Sequence, residues 1–559
     1  MRVSVVVSRF PNPVSLHRSL TVSHLPVAGN FCYNANEFRH CTVMAIACAM
    51  NWKPSHPAFN ALLHAFMQQT TPVYVVGGVV RDFLLGIDGK QSDLDLTIDQ
   101  AALPTAQRVA DRLGWAFYPL DTARDVARLV FSATNGEPLI CDIASLRGGT
   151  LETDLLARDF TINAMAFALE RNGETRLIDI CKGQADLANR IVRRVSAASL
   201  AEDAVRLLRA VRFTHQLNFT LDEETTVQIK RLQGILRLAS AERVRDELWK
   251  ILATDKPAQA IDDLQKLGLL GYVLPEISAL VGVEQSYPHY QDIYHHTLQV
   301  VQNSVQIRNW IKGQPVTEKG PAQTAWQQAL EPLRARLRYH FAHPLAVGHA
   351  RADWLVWHAL LHDVGKPAVR TAESQPGGSV RYRFLEHEAT GAALSTQRLT
   401  QLRFNRQEVA LAEAVVQGHM RPHLLHNAFA GQTVGRRARY RFFRDVGGKQ
   451  FEHPAGVETV LLALADYLAI HKATPPDWSA YLRHMVELLS FAFDEDGLQE
   501  VHRQPLLDGH TLMTQLHLAP GRQVGQLLAA VLEAQAAGEI QNREQAIALA
   551  AQLAAEKIA

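Results

Sequence analysis

The chain has 559 residues, 47% hydrophobic and 20% charged, with 57 Lys and Arg against 56 Asp and Glu and a formal net charge of +1. At roughly 100–200 residues per domain this length suggests three or four domains. The near-zero balance excludes a polycation that binds nucleic acid by global attraction, so such contact must come from local basic patches. No apolar run is long enough for a membrane span, and five cysteines (Cys32, Cys41, Cys48, Cys141, Cys181) without a CxxC spacing suggest a reducing, cytoplasmic compartment.

Residues 1–43 are poor in acids and carry no clear period. A transit peptide has this composition; a start codon assigned too early, with Met44 or Met50 the true start, is the favoured expectation. From Pro72 to about Val195 the pattern is mixed. VYVVGG reads as an apolar strand ending in glycines, DLDLTI alternates as a half-buried strand does, and RLVFSA and PLICDIA read as further strands. VVRDFLLG, LPTAQRVADRLG and DFTINAMAFALE read as helices. Beyond Ala197 strand signals nearly vanish and apolar residues recur at helical spacing. The expected fold is thus an α+β head, with a mixed sheet and helices, followed by an all-α body. Stretches around Gly313–Gln323 and Glu373–Val380 read as linkers, and the Ala- and Leu-rich end as tail helices. The expected division is 1–43 extension, 44–197 head, 198–280 neck, 281–480 histidine-rich domain and 481–559 helical tail.

Two constellations carry chemistry. In the first, Gly77 and Gly78 end a strand and open a helix bearing Arg81 and Asp82; glycine lets backbone approach a phosphate, and a helix start offers N–H groups to an anion. Asp93 and Asp95 stand two apart on DLDLTI, so both carboxylates share one strand face with Leu94 and Leu96 behind. Side-by-side carboxylates call for a cation, and Mg²⁺ suits carboxylate and phosphate oxygens. Asp142 on PLICDIA is the candidate third carboxylate. An Asp-x-Asp alone is more often an exposed strand face; the Gly-Gly-x-x-Arg-Asp upstream reverses that weighting.

GGVVRDFLLG…SDLDLTI, RDFTINAMA and EDAVRLLRAVRF in order resemble the class II tRNA nucleotidyltransferase and bacterial poly(A) polymerase family, over roughly Val73 to Leu270. The resemblance implies a polymerase-β-like head with catalytic Mg²⁺ at Asp93 and Asp95. It implies that Arg158, Asp159 and Asn163 bind the nucleotide's sugar and triphosphate, with Gly77, Gly78, Arg81, Asp82 and Arg209 also in the nucleotide site. Ala157 stands where the family often has arginine. LIDICKGQADLANRIVRRV resembles the next family motif, with Asp179, Gly183, Asp186 and Arg194. Asp203 and Arg206, three apart and expected on one helix face, are implied to imitate a template base and select CTP and ATP; an ordinary intrahelical pair is the plain alternative. Glu242, Arg243 and Arg245 are expected to brace that helix.

In the second constellation, adjacent His362 and Asp363 end an apolar helix, with His296 upstream and His387, His419 and Asp466 downstream. These are ligand types for divalent metals. The order resembles the HD superfamily of metal-dependent phosphohydrolases, with Gly365-Lys366-Pro367 following; His295 is the alternative to His296. A transition metal or Mg²⁺ is the expected occupant, and whether this domain hydrolyses anything stays open. Further along, the GRRARYRFFRDVGGK segment mixes arginines with aromatics, the aromatics expected in a core and the arginines open to RNA.

The implied activity is addition of C and/or A to tRNA 3′ ends from CTP and ATP, with release of pyrophosphate. Its partners are tRNA or other RNA 3′ ends, and no membrane. Poly(A) polymerase is the first rival and a phosphohydrolase with a vestigial head the second. FYPLDTARDVARLVF shows no recognisable loop of the kind associated with full CCA addition, which favours a partial adder. Oligomeric state is not legible.

Overall fold

The computed structural model describes residues 52–556 and the backbone of 48–50, apart from 71, 88–91, 133–137, 171–173, 347, 430–431, 448–453, 472–473, 476 and 494–503. The expectations for residues 1–43 fall outside the described residues.

The head is built on eight strands: β1 (Cys48–Met50), β2 (Val73–Val76), β3 (Asp93–Ile98), β4 (Ala116–Asp121), β5 (Val126–Phe131), β6 (Leu139–Ser145), β7 (Ala166–Leu169) and β8 (Thr175–Ile178). They run in the order β1-β8-β7-β2-β3-β6-β5-β4, with β3 and β6 parallel and the other neighbours antiparallel. Alternation along β3 buries Leu94 and Leu96 and leaves Asp93 and Asp95 accessible. The buried leucines join a core with Phe59, Leu62 and Phe66 of the Pro57–Gln69 helix and Val109 of the Ala102–Leu113 helix; each such side chain contributes roughly 1.5–3 kcal/mol of burial.

DFTINAMAFALE is not a helix. It is a single 3₁₀ turn at Thr161–Asn163 followed by β7. All four β7 residues are buried, between β2 and β8, and a continuous apolar run in a central strand carries no period that distinguishes it from a buried helix. The helix expected from EDAVR begins only at Val205. The Glu373–Val380 stretch is the turn of a hairpin, Thr371–Ser374 with Val380–Arg383, within the helical body rather than a linker. The Gly313–Gln323 stretch connects two helices and is held by Gln306, whose side chain accepts from Thr317 and Glu318 N–H groups.

The rest is helical, as the pattern predicts. Helix Val205–Leu217 packs on Ala241–Leu252 and Pro257–Lys266. The Ile293–Lys312 helix, capped by Asp292, lies buried against Trp354–Leu361 and Gly456–Ile470. Beside them run His387–Gln401 and Arg406–Gly418, the latter opened by an Asn405–Glu408 capping box. The tail helices Gly509–Leu516, Arg522–Ala536 and Arg543–Glu556 enclose a small core of their own, including Leu512, Leu527 and Ala550. Among the described residues no helix is long and apolar enough to cross a membrane.

Candidate functional site

The first cluster lies where the end of β2 meets the first half of β3. Gly77 takes φ +78°, in the left-handed region, and a β-carbon there would lie 3.2 Å from Asp95 Oδ2 and 3.6 Å from Arg158 Nη1. The diglycine bend, the second carboxylate and an arginine therefore converge. Asp95 faces Asp142 directly in the β3–β6 register, and Arg128 on β5 grips Asp142 with Nε and Nη2 donating at 2.8 Å to its two oxygens. Desolvation on the cleft floor, then the Asp142 and Asp93 carboxylates, push the Asp95 pKa up to about 6, with Arg158 pulling the other way. Asp95 is nonetheless reached by solvent, and its closest like charge is Asp142 across the β3–β6 pair. Three crowded carboxylates, one of them reluctant to ionise without a neighbouring cation, are the donor chemistry that suits Mg²⁺.

A chain of hydrogen bonds backs this cleft. Buried Arg81 donates through Nη1 to Asn163 Oδ1 (2.9 Å) and through Nε to Asp82 (2.8 Å). Asn163 donates to Asp159 (3.3 Å), and Arg209 donates to the other Asp159 oxygen (2.7 Å). Burial opposes ionisation of Asp159, but the charge and hydrogen bond of Arg209 hold it below the usual carboxylate range. Arg158 donates to Asp154 at 2.9 Å. Arg81, Asp82, Asp159, Asn163 and Arg209 are thus one connected network.

Asp203 and Arg206 are placed differently from the expectation. Asp203 precedes the helix, so the two do not share a helical face. Asp203 accepts from Val205 N–H (3.1 Å) and from Arg243 Nη2 (2.5 Å). Arg206 turns inward, donating to the Ser199 and Ala157 carbonyls at 2.6 and 2.9 Å. Of the three expected braces only Arg243 reaches Asp203; Glu242 and Arg245 turn towards Arg403. Asp179 and Asp186 stay structural: Asp179 accepts from Gly183 and Gln184 N–H groups, and Asp186 from Thr161 and Arg193. Arg194 is engaged by Glu224.

The second cluster gathers His296, His362, Asp363, His387, His419 and Asp466, all buried, from five helices or their ends. His362, Asp363 and His296 form one compact donor group, and Asp363, His387 and His419 another. His362, His387 and His419 each place Nδ1 2.6–2.8 Å from the carbonyl oxygen three residues earlier. A carbonyl only accepts, so each Nδ1 carries a proton; in the neutral ring each Nε2 then presents a lone pair towards Asp363. The Nε2 atoms of His387 and His419 then face each other at 3.2 Å, two acceptors with nothing between to donate. His296 Nε2 and Asp466 Oδ1 stand 2.9 Å apart, yet neither forms a directed hydrogen bond. Burial, then His362 and His387, push His419 down to about 3, keeping it neutral. These orphaned, converging donors fit a divalent metal. His295 instead lies exposed, bonded to Asp292.

Sequence reasoning missed three groups here. Arg128 could be found only from strand register. His423, whose Nε2 sits 3.1 Å from Asp466 Oδ2, and His289, packed edge-on against His296 at 4.8 Å, were visible only as members of a histidine-rich stretch. Lys366 holds Asp363 at 2.7 Å. In the basic segment Tyr440, Phe442 and Phe443 are buried, as expected, while Arg437, Arg441 and Arg444 pair at the surface with Glu539 and Glu533 of the tail.

Comparison with known proteins matches residues 73–193 to the poly A polymerase head domain, 218–280 to the probable RNA and SrmB-binding site of polymerase A, and 293–471 to the HD domain. The chain is 32% identical to an A-adding tRNA nucleotidyltransferase of Deinococcus radiodurans over 490 residues, covering 86% of this chain and 95% of that one. It is also 32% identical to a CC-adding tRNA nucleotidyltransferase of Thermus thermophilus, over 85% of this chain and 92% of that one. The fold matches the solved Thermotoga maritima CCA-adding enzyme complexed with tRNA (TM-score 0.51, 21% identity, 90% and 97% of the two chains). It also matches a CCA-adding enzyme complexed with ATP (TM-score 0.55, 21% identity, 90% and 98%).

Proposed function

The chain belongs to the tRNA nucleotidyltransferase family, and on that premise we propose that it adds C or A to tRNA 3′ ends from CTP or ATP, without a template and with release of pyrophosphate. The observation that carries this reading is the meeting of Asp93, Asp95 and Asp142 beneath the Gly77 bend. Asp93 and Asp95, supported by Asp142, would hold Mg²⁺, which when bound there activates the attacking 3′-hydroxyl and neutralises the leaving pyrophosphate. Gly77 and Gly78 leave room for the triphosphate to approach the backbone, and Arg158 brings positive charge beside it. Asp159, kept ionised by Arg209, offers an acceptor to the ribose, with Asn163 and Arg81 fixing its orientation.

Asp203 and Arg206 are our candidates for base selection, since an acceptor and a paired donor match a Watson–Crick edge. In that role each must exchange its present partner, Arg243 or the Ser199 and Ala157 carbonyls, for the incoming base. The product we favour is partial, C's or the final A. The relatives matching 85–86% of this chain are A-adding and CC-adding, whereas the multifunctional CCA proteins match only 42% of it. Poly(A) synthesis has less support, since relatives that match this chain over most of its length are A-adding and CC-adding. At the second centre the imidazole and carboxylate donors suit a transition metal or Mg²⁺, and we read it as a phosphohydrolase site on RNA 3′ ends in the cytoplasm.

The test is incubation with tRNA transcripts ending at the discriminator base, at C and at CC, with each nucleoside triphosphate. Extension of one or two of them by C or A supports partial addition. Long A tails on unrelated RNA, with no tRNA preference, would replace the reading by poly(A) polymerase.

A further inference from the structure

Beside the histidine–aspartate centre lies a cavity of about 830 Å³, formed by the loop of residues 281–292 and the Thr371–Arg383 hairpin. Its two walls are pinned together. Tyr382 N–H donates to Ser286 Oγ (2.7 Å), Tyr382 OH donates to Glu284 (2.9 Å), and Arg370 lies 3.8 Å over the Tyr382 ring while reaching Glu284 at 3.5 Å. Two of the residues lining the cavity, Gln285 and His289, connect it to the metal-type cluster. Gln285 of the loop accepts from Lys366 Nζ (3.2 Å), which also meets Asp363 Oδ2 at 2.7 Å, and His289 packs against His296. The outer end is aromatic and basic: Tyr287 is 94% exposed, Tyr290 43% exposed, and Arg381 is exposed beside them.

Large aromatics are seldom left this open, and two exposed tyrosines facing one cavity mark a binding surface. Aromatic faces and arginine over a rim, leading to a lysine that touches a metal-ligand carboxylate, suit a ligand with a flat base at one end and a phosphate at the other. Of the loop's acids, Glu284 pairs with Arg370 and Asp292 is bound by His295 and Gly282 N–H, and Arg370 and Arg381 match the two carboxylates in charge. We infer that this cavity receives one unpaired nucleotide, its base stacked at Tyr287 and its phosphate directed past Lys366 to the histidine–aspartate centre. The inference rests on the reading of that centre as a phosphohydrolase site and supplies its substrate class. The nucleotide has two sources, a free mononucleotide or the last residue of an RNA 3′ end.

Full-length protein is photo-crosslinked separately with 8-azido-AMP and with a 3′-phosphorylated trinucleotide bearing 4-thiouridine, and the adducts are mapped by mass spectrometry. We expect adducts on peptides containing Tyr287 and Tyr382; labelling by one probe alone identifies the source. The exposed double variant Tyr287→Ala, Arg381→Ala should label about tenfold less, the loss of one stacking platform, with tRNA extension unchanged. Adducts confined to the head, or undiminished in the double variant, overturn the inference. Adducts at these peptides without phosphate release from the trinucleotide sustain the pocket and sink the hydrolase reading alone.

Discussion

Gly365 offers a sharp test of how the second centre is held together. It follows His362 by three residues and Asp363 by two, and abuts the first turn of the helix that carries His387. A β-carbon at Gly365 would fall 2.1 Å from the His387 carbonyl oxygen, 2.5 Å from Gly391 N and 3.0 Å from Gly391 Cα. These are backbone atoms, so no side chain can swing away. Ordinary contact begins at about 3.4 Å, which requires the two segments to part by about 1 Å. Metal–ligand distances tolerate only about 0.2 Å. Gly365→Ala should therefore cost about 1–3 kcal/mol of stability by overpacking and lower metal affinity by at least 10–100-fold, the range seen when supporting groups are lost. Gly391→Ala is the graded control, since its β-carbon would meet Gly365 N at 3.3 Å and Val416 Cγ1 at 3.4 Å, and a smaller loss is expected. Co²⁺ titration followed by absorbance, with thermal melting in parallel, reads both quantities. A folded Gly365→Ala protein that binds Co²⁺ as tightly as wild type would refute the reasoning.

Other consequences are as specific. Asp363→Ala should abolish Co²⁺ binding at the second centre while tRNA extension continues; loss of extension in a folded protein would contradict two separate sites. Arg243→Ala releases Asp203 from its 2.5 Å partner, and steady-state kinetics should show an altered CTP-to-ATP preference rather than a uniform fall. Glu458, buried between His340 (3.0 Å) and Arg351 (2.6 Å), should be worth roughly 3–5 kcal/mol when one partner of the cluster is removed, so Glu458→Gln should lower the melting temperature clearly. Burial opposes its ionisation, but Arg351 and His340 bring its pKa from 4.5 to about 2. The stability that Glu458 contributes is thus complete above pH 4.5 and is lost as pH falls towards 2. A denaturation series between those values should be shallower in the glutamine variant.

Much of this molecule was legible from residue order. DLDLTI announced its own face, because period-two alternation in a half-buried strand directs carboxylates one way and leucines the other. His362-Asp363 and the spaced histidines were equally readable, since ligand chemistry resides in residue type. What resisted was whatever depends on long-range pairing. AFAL is as apolar as any buried helix turn, and only its place between β2 and β8 makes it a strand. Arg128 meets Asp142 through a register that no local pattern encodes. Asp203 looked helical because EDAVR has helical spacing, but its carboxylate caps a neighbouring N–H instead, the competition between side chain and helix that aspartate commonly wins. Arg441 and Arg444 of the basic segment meet Glu533 of the tail, 92 and 89 residues on, a pairing that no local pattern encodes.

Nucleotide addition depends most on the Asp93–Asp95 strand, and the most direct measurement is single-turnover incorporation of one nucleotide into a tRNA transcript in Mg²⁺, comparing wild type with Asp95→Asn. The substitution keeps shape and removes charge. Each 1.36 kcal/mol of barrier is tenfold in rate and a catalytic metal supplies several kcal/mol, so the variant should be slower by roughly a thousandfold or more with an unchanged melting profile. Incorporation at the wild-type rate would mean that this pair of carboxylates is not where the reaction occurs.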